Sequence, residues 1–167
     1  MLAVGSFFVY SCDNNDSVVS QQDSDTYSKM RDVSGSFNSG NSFALNVPIT
    51  IQSTDVVLVY RNDSNVWQPI PKNYYLDDVA NLPVGRELEY NFVFDKSQVQ
   101  IRTESNFNQA TQISNAEAAQ YLNNQTFRVV LVPASSAKTT AVDLKDYNAV
   151  VKYYNLDASK IRTVYVK

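Results

Sequence analysis

Histidine is absent from the chain and cysteine occurs once. Without an imidazole there is no Ser/His/Asp triad, no Cys/His dyad, no His-ligated zinc or iron and no histidine proton relay. A single thiol excludes an intrachain disulfide. Glycine is scarce as well, and the 4 glycines form neither a G-x-G-x-x-G nor a G-x-x-x-x-G-K-[ST] loop. The backbone cradle that a nucleotide's phosphates require is therefore missing. Nor is there a large excess of one charge. The 14 basic and 17 acidic residues leave a net charge of −3. All of that excess lies in residues 13–42; residues 43–167 carry 12 charges of each sign, interspersed. A neutral body of this kind presents no basic stripe to a phosphate backbone, which argues against nucleic-acid binding.

What remains is the composition of a folded protein. Of the 167 residues, 44% are hydrophobic and 12% aromatic, enough for a single domain with its own core. Residues 1–10, Met-Leu-Ala-Val-Gly-Ser-Phe-Phe-Val-Tyr, form an apolar run too short to span a bilayer but as long as a signal-peptide core. The run ends at Val9-Tyr10-Ser11-Cys12, which resembles the lipobox of bacterial lipoproteins, with Val9 in place of the usual leucine and no preceding Lys or Arg. That resemblance implies that Cys12 becomes a lipidated first residue, because only a thiol can carry the diacylglycerol thioether. The other reading of the same residues is a first strand ending in a buried thiol. The polar tract that follows, rich in Ser, Asp, Asn and Gln up to about Asn41, favours the anchor, since it holds too little apolar surface to fold. The expected organisation is a signal-peptide remnant over 1–11, a lipidated, flexible, acidic tether over 12–42, and a folded domain over 43–167.

Within that domain the hydrophobic period is two. Phe43, Leu45, Val47, Ile49 and Ile51 alternate with Ala44, Asn46, Pro48 and Thr50, and Pro48 assigns their strand to an edge or a bulge. Val56-Val57-Leu58-Val59-Tyr60 is apolar on both faces, as in a central strand. Turn residues at 62–65 lead to Trp67-Gln68-Pro69-Ile70-Pro71, an irregular edge. Leu88, Tyr90, Phe92 and Phe94 oppose Val99, Ile101 and Thr103 across Asp95-Lys96-Ser97, which predicts a hairpin over 87–104. Ser114 and Glu117 have capping-box spacing and predict a short helix. A strand over 127–132 follows. A second helix is expected from Asp143, with Leu144, Tyr147, Val150, Val151 and Tyr154 as its inner stripe, and a last strand at Val164-Tyr165-Val166. The fold class is mainly β: an antiparallel, immunoglobulin-like sandwich of about seven strands with two short appended helices.

Several blocks in fixed order carry a resemblance. They are Thr54-Asp55-Val56-Val57-Leu58-Val59-Tyr60, Val66-Trp67-Gln68-Pro69-Ile70-Pro71, Leu88-Glu89-Tyr90-Asn91-Phe92-Val93-Phe94, residues 127–134 and residues 146–154. The chain from Phe43 onward resembles an uncharacterised family of small Bacteroidota lipoproteins, similar to the C-terminal domain of some bacterial collagen-like proteins. The chain departs from it in an Asn/Ala-rich insert near 106–115 and in having no Gly-X-Y repeat. The resemblance implies an outer-membrane lipoprotein exposed at the cell surface, and the acidic residues after Cys12 resemble the surface-export signal of that phylum. It implies no catalytic activity.

Three constellations invite chemistry. Glu87 and Glu89 share one face of a strand at about 6.6 Å by strand rise, a spacing that suits a carboxylate pair in an inverting glycosidase. Two solvated charges on the outer face of a sheet are the better account of them. Asp77 and Asp78 offer calcium ligands, but no EF-hand loop surrounds them, and they read as a turn. Trp67, Tyr74 and Tyr75 could form an aromatic platform for a sugar ring, although a lone tryptophan in a small sandwich belongs in the core, here against Leu58, Tyr60 or Phe92. Asp143 and Asp146 complement the dipole of the second helix. The sequence thus predicts a non-catalytic envelope module that needs no cofactor or metal. Its partners would be the membrane, through Cys12, and a glycan or envelope protein; a carbohydrate-binding domain is the alternative and a carboxylate glycosidase a distant one.

Overall fold

The computed structural model describes residues 29–134 and 142–166. Among them nine strands make two facing sheets. The first sheet runs in the order β4 (Val66–Pro69), β3 (Val56–Asp63), β8 (Gln125–Val132), β1 (Lys29–Gly35), β9 (Arg162–Tyr165). The second runs β2 (Ala44–Pro48), β7 (Gln98–Ser105), β6 (Glu87–Phe94), β5 (Lys72–Tyr75). Inward alternation builds the main core: Val33, Val57, Val59, Phe127 and Val129 from the first sheet meet Leu45, Val47, Leu88, Tyr90, Val99 and Ile101 from the second. Each such side chain contributes about 1.5–3 kcal/mol through burial, which is what fixes the register. The hairpin expected at 87–104 forms with Phe92 opposite Ile101 and Phe94 opposite Val99. Asp95 closes its turn by accepting from the Ser97 and Gln98 amides at 2.7 and 2.9 Å.

The apolar character of β3 on both faces has a structural cause. Val57 and Val59 enter the main core, while Leu58 and Tyr60 point outward beneath α2 (Tyr147–Tyr153). Tyr60, Val130, Val132, Val150 and Leu156 form this second cluster, which makes the molecule three layers deep over the first sheet. The other helix, α1 (Asn115–Tyr121), starts at Ser114, whose hydroxyl accepts from the Glu117 amide at 3.3 Å while the Glu117 carboxylate accepts from the Ser114 amide at 2.9 Å. The capping box is formed as the spacing predicts.

Four expectations need correction. The tether expected over 12–42 is not a tether from Lys29 onward. That stretch supplies β1, an interior strand between β8 and β9. Val33 and Phe37, 0% and 2% exposed, anchor it, and Phe37 packs edge-on against Tyr90 and Phe127. The average polarity of the segment hides these two anchors, and neighbouring strands supply the pairing that its own propensity would not. The folded body therefore includes residues before 43. Second, the mainly β sandwich with two short appended helices forms as expected, but its strands number nine among the described residues where about seven are expected, and the orders above differ from the ABED and CFG sheets of an immunoglobulin domain. β9 is also parallel to β1, a pairing without local sequence signature. Third, α2 is capped by Asp146, which accepts from the Asn148 and Ala149 amides, not by Asp143; Leu144 lies outside the helix and is 41% exposed. Fourth, Phe94, expected on the inner face, is 43% exposed, because the hairpin tip overhangs the core. Residues 1–28, with Cys12 and the signal-peptide remnant, lie outside the described residues.

Candidate functional site

The aromatic trio does not assemble. Trp67 sits on β4 at the edge of the first sheet, half-buried, with its ring centroid 5.8 Å from that of Tyr147 on α2. The guanidinium of Arg128 lies 4.0 Å from the indole centroid and is held there by a bidentate pair with Asp32 at 2.7 and 2.9 Å. Tyr147 accepts a further hydrogen bond from Arg128. Trp67 thus belongs to the layer under α2 with Leu58 and Tyr60, and not with Phe92, which packs against the main core. Tyr74 and Tyr75 lie on β5, the far edge of the other sheet, and point to opposite faces. Tyr74 turns in towards Tyr90 and Tyr121, with centroids at 5.6 and 5.3 Å, whereas Tyr75 is 74% exposed. No flat face for a sugar ring results.

The carboxylates behave as surface charges. Glu87 is exposed and Glu89 partly so, on the outer side of the second sheet, where Glu89 stands opposite Glu104. Asp77 and Asp78 are exposed in the connection between β5 and β6. Among the described residues no three His, Cys, Asp or Glu side chains are grouped to hold a metal ion. Nor, among those residues, is any helix long and apolar enough to cross a membrane.

Polar chemistry concentrates instead around buried arginines. Arg86, 1% exposed, forms a bidentate pair with Glu117 at 2.7 and 2.9 Å and donates to the carbonyls of Asp77, Pro83 and Gln112. It ties the loop before β6 to the start of α1. Hydrogen bonding from Arg86 holds the Glu117 carboxyl down at about 2, against the opposing effect of burial. Arg61, 3% exposed, donates to Gln125 at 2.8 and 3.1 Å, to the Tyr74 hydroxyl at 2.9 Å and to the Gln120 carbonyl, and pairs with Asp63 at 3.2 Å. Its guanidinium also lies over the rings of Tyr90 and Tyr74 at 4.8 and 5.1 Å. Burial pushes the Tyr74, Tyr90 and Tyr121 hydroxyls above the usual phenol range, so they remain protonated and neutral.

Two concavities lie at the surface, and the first borders the Arg61 network. One, of about 750 Å³, is wide and polar: Asn62, Asp63 and Ser64 of the β3–β4 turn face Gln120, Asn123 and Asn124 beyond α1, with Arg61 at its floor. The other, of about 440 Å³, is narrower and lies where the two sheets open at the start of β1. Lys29, Arg31 and Arg162 rim it, and Ile49, Val129 and Leu131 floor it. Neither was foreseen. Asn62, Asp63, Ser64 and Asn65 read in sequence as a turn, and their partners lie some 60 residues further along. Lys29 and Arg31 are two like charges at strand spacing, set in a segment whose average polarity is that of a linker.

No family model, curated protein or solved structure matches the chain.

Proposed function

We propose that the chain is a non-catalytic binding module held at a bacterial outer-membrane surface by a lipid on Cys12. The observation that carries the proposal is how the charged groups are used. Arg61, Arg86 and Arg128 and their partners Asp63, Glu117 and Asp32 are committed to holding elements together, whereas the other polar groups that line the two concavities are hydrogen-bonding or cationic and suited to a ligand. The anchor draws its support from the sequence around Cys12 and from the resemblance to Bacteroidota lipoproteins. Between Cys12 and Lys29 the chain can reach at most about 60 Å, enough to clear the lipid head groups.

The wide polar concavity favours carbohydrate as a second reading of what is bound. Asn, Asp and Gln side chains on a shallow surface match the alternating donors and acceptors of a glycan's hydroxyls, and this site replaces the aromatic platform at Trp67, Tyr74 and Tyr75. The test is twofold. In the native host, metabolic labelling with an alkyne fatty acid should tag the protein, and Cys12→Ser should abolish both the label and retention in the membrane fraction. On a glycan array, a retained sugar should be lost in an Asn62→Ala, Asn123→Ala double variant. Retention of the Cys12→Ser protein in detergent-extracted membranes would overturn the anchor.

A further inference from the structure

The arginines divide into two groups. Arg61, Arg86, Arg102 and Arg128 each pair with a carboxylate at 2.7 to 3.2 Å. Arg31 and Arg162 do so with none among the described residues, and these two stand directly opposite each other on the parallel strands β1 and β9. Two residues along on each strand, Val33 opposes Val164, and Val33 is fully buried in the main core. Arg31 therefore points into the gap between the sheets, where it reaches the Pro48 carbonyl at 2.6 Å. Lys29, two residues before Arg31, adds a third cation to the same rim. Like charges facing each other across neighbouring strands destabilise a sheet, and among the described residues no acidic side chain lines the concavity to offset Arg31 and Arg162.

We infer that this concavity binds an anionic amphiphile, a carboxylate or phosphate head group carrying an alkyl chain. Two guanidinium forks on one rim supply the bidentate, charge-assisted hydrogen bonds that such head groups accept. The floor supplies the rest: Ile49, Val129 and Leu131 are apolar, so a chain laid over them displaces no polar partner. The volume of about 440 Å³ lies within the range of small-molecule sites. An inorganic anion would leave that floor uncontacted, and a neutral chain would leave the arginines unneutralised. Only a ligand with both parts matches both surfaces. The inference goes beyond the lipid anchor and does not depend on it.

The experiment is calorimetric titration of the full chain carrying Cys12→Ser, so that a lipid on the protein cannot compete. The ligands are decanoate, decyl phosphate, decanol and inorganic phosphate. Decanoate or decyl phosphate should bind one to one, at least about tenfold tighter than either decanol or inorganic phosphate, and the stronger of the two identifies the head group. Arg162→Gln, an exposed position on an edge strand, should weaken that binding by about tenfold. In the absence of ligand the same variant should melt no lower than the parent and up to about 2 °C higher, because it removes the opposed charge. Equal binding of decanol and decanoate would overturn the proposal. So would binding of inorganic phosphate as tight as that of decyl phosphate, or unchanged affinity in a folded Arg162→Gln protein.

Discussion

Replacing Arg86 by methionine retains most of the side chain's apolar length and removes its charge and all of its donors. In the native protein those donors satisfy both oxygens of Glu117 and three backbone carbonyls in a site where Arg86 is 1% exposed. The variant leaves a carboxylate that is 8% exposed with only the Ser114 amide and hydroxyl as partners. Breaking one side of a buried pair costs about 3–5 kcal/mol. The carboxyl's position is in keeping with this: lowering it from 4.5 to about 2, through the Arg86 bonds first and the Ser114 bonds after them, corresponds to about 3 kcal/mol in favour of the charged form in the folded state. Because the folded value lies below the unfolded one, this stabilisation is fully present above pH 4.5 and disappears as the pH falls from 4.5 towards 2. Urea denaturation of the parent and Arg86→Met at pH 7 should differ by about 3–5 kcal/mol, and the gap should narrow below pH 4.5. Adding Glu117→Gln to Arg86→Met should recover part of the loss, since it removes the stranded charge. A cost below about 1 kcal/mol at pH 7, or a gap that stays constant on acidification, would refute the view that this pair fastens the loop to α1.

A fragment beginning at Phe43 should fail to give a cooperative unfolding transition, because it lacks Val33, Phe37 and the strand that links β8 to β9; circular dichroism with thermal melting reads the outcome. Trp67→Ala should cost about 2–3 kcal/mol by urea denaturation, less than full burial would imply, since the indole is half-buried but carries the Arg128 guanidinium. Gly35→Ala should destabilise by about 1–3 kcal/mol, because an added Cβ would approach Leu45 Cδ2 and the Val166 carbonyl oxygen to 2.8 Å; a melting temperature at or above the parent's would contradict the packing at that corner.

The parts of the fold that the sequence foretold are those whose information is local. The 87–104 hairpin is specified by alternation and a turn within 18 residues, and Ser114 and Glu117 state the start of α1 within one helical turn. Pro48 and Pro69 lack an amide donor and fall on edge strands, as expected. β1 was missed because its signal is two buried side chains, Val33 and Phe37, in a stretch whose mean composition is that of a linker. β9 was missed as β1's parallel partner because their pairing joins residues 131 positions apart, with only three apolar residues in reach, Val164, Tyr165 and Val166. The candidate sites fared worse for the same reason. Trp67, Tyr74 and Tyr75 are neighbours in sequence, but a connection between sheets intervenes at Ile70-Pro71 and separates them. Arg162 is distant in sequence from Lys29 and Arg31 and meets them only through the sheet order.

The position of β1 also bears on how the molecule responds to force. Tension that arrives along the chain ahead of Lys29 enters through a strand paired on both sides, with β8 along all seven of its residues and with β9 from Arg31 to Ser34. A pull along that strand's axis loads both hydrogen-bond ladders in shear, so many bonds must yield together, whereas an edge strand peeled sideways would give way one bond at a time. The strand that looked most like loose tether in the sequence is thus placed to act as the mechanical clamp of the domain.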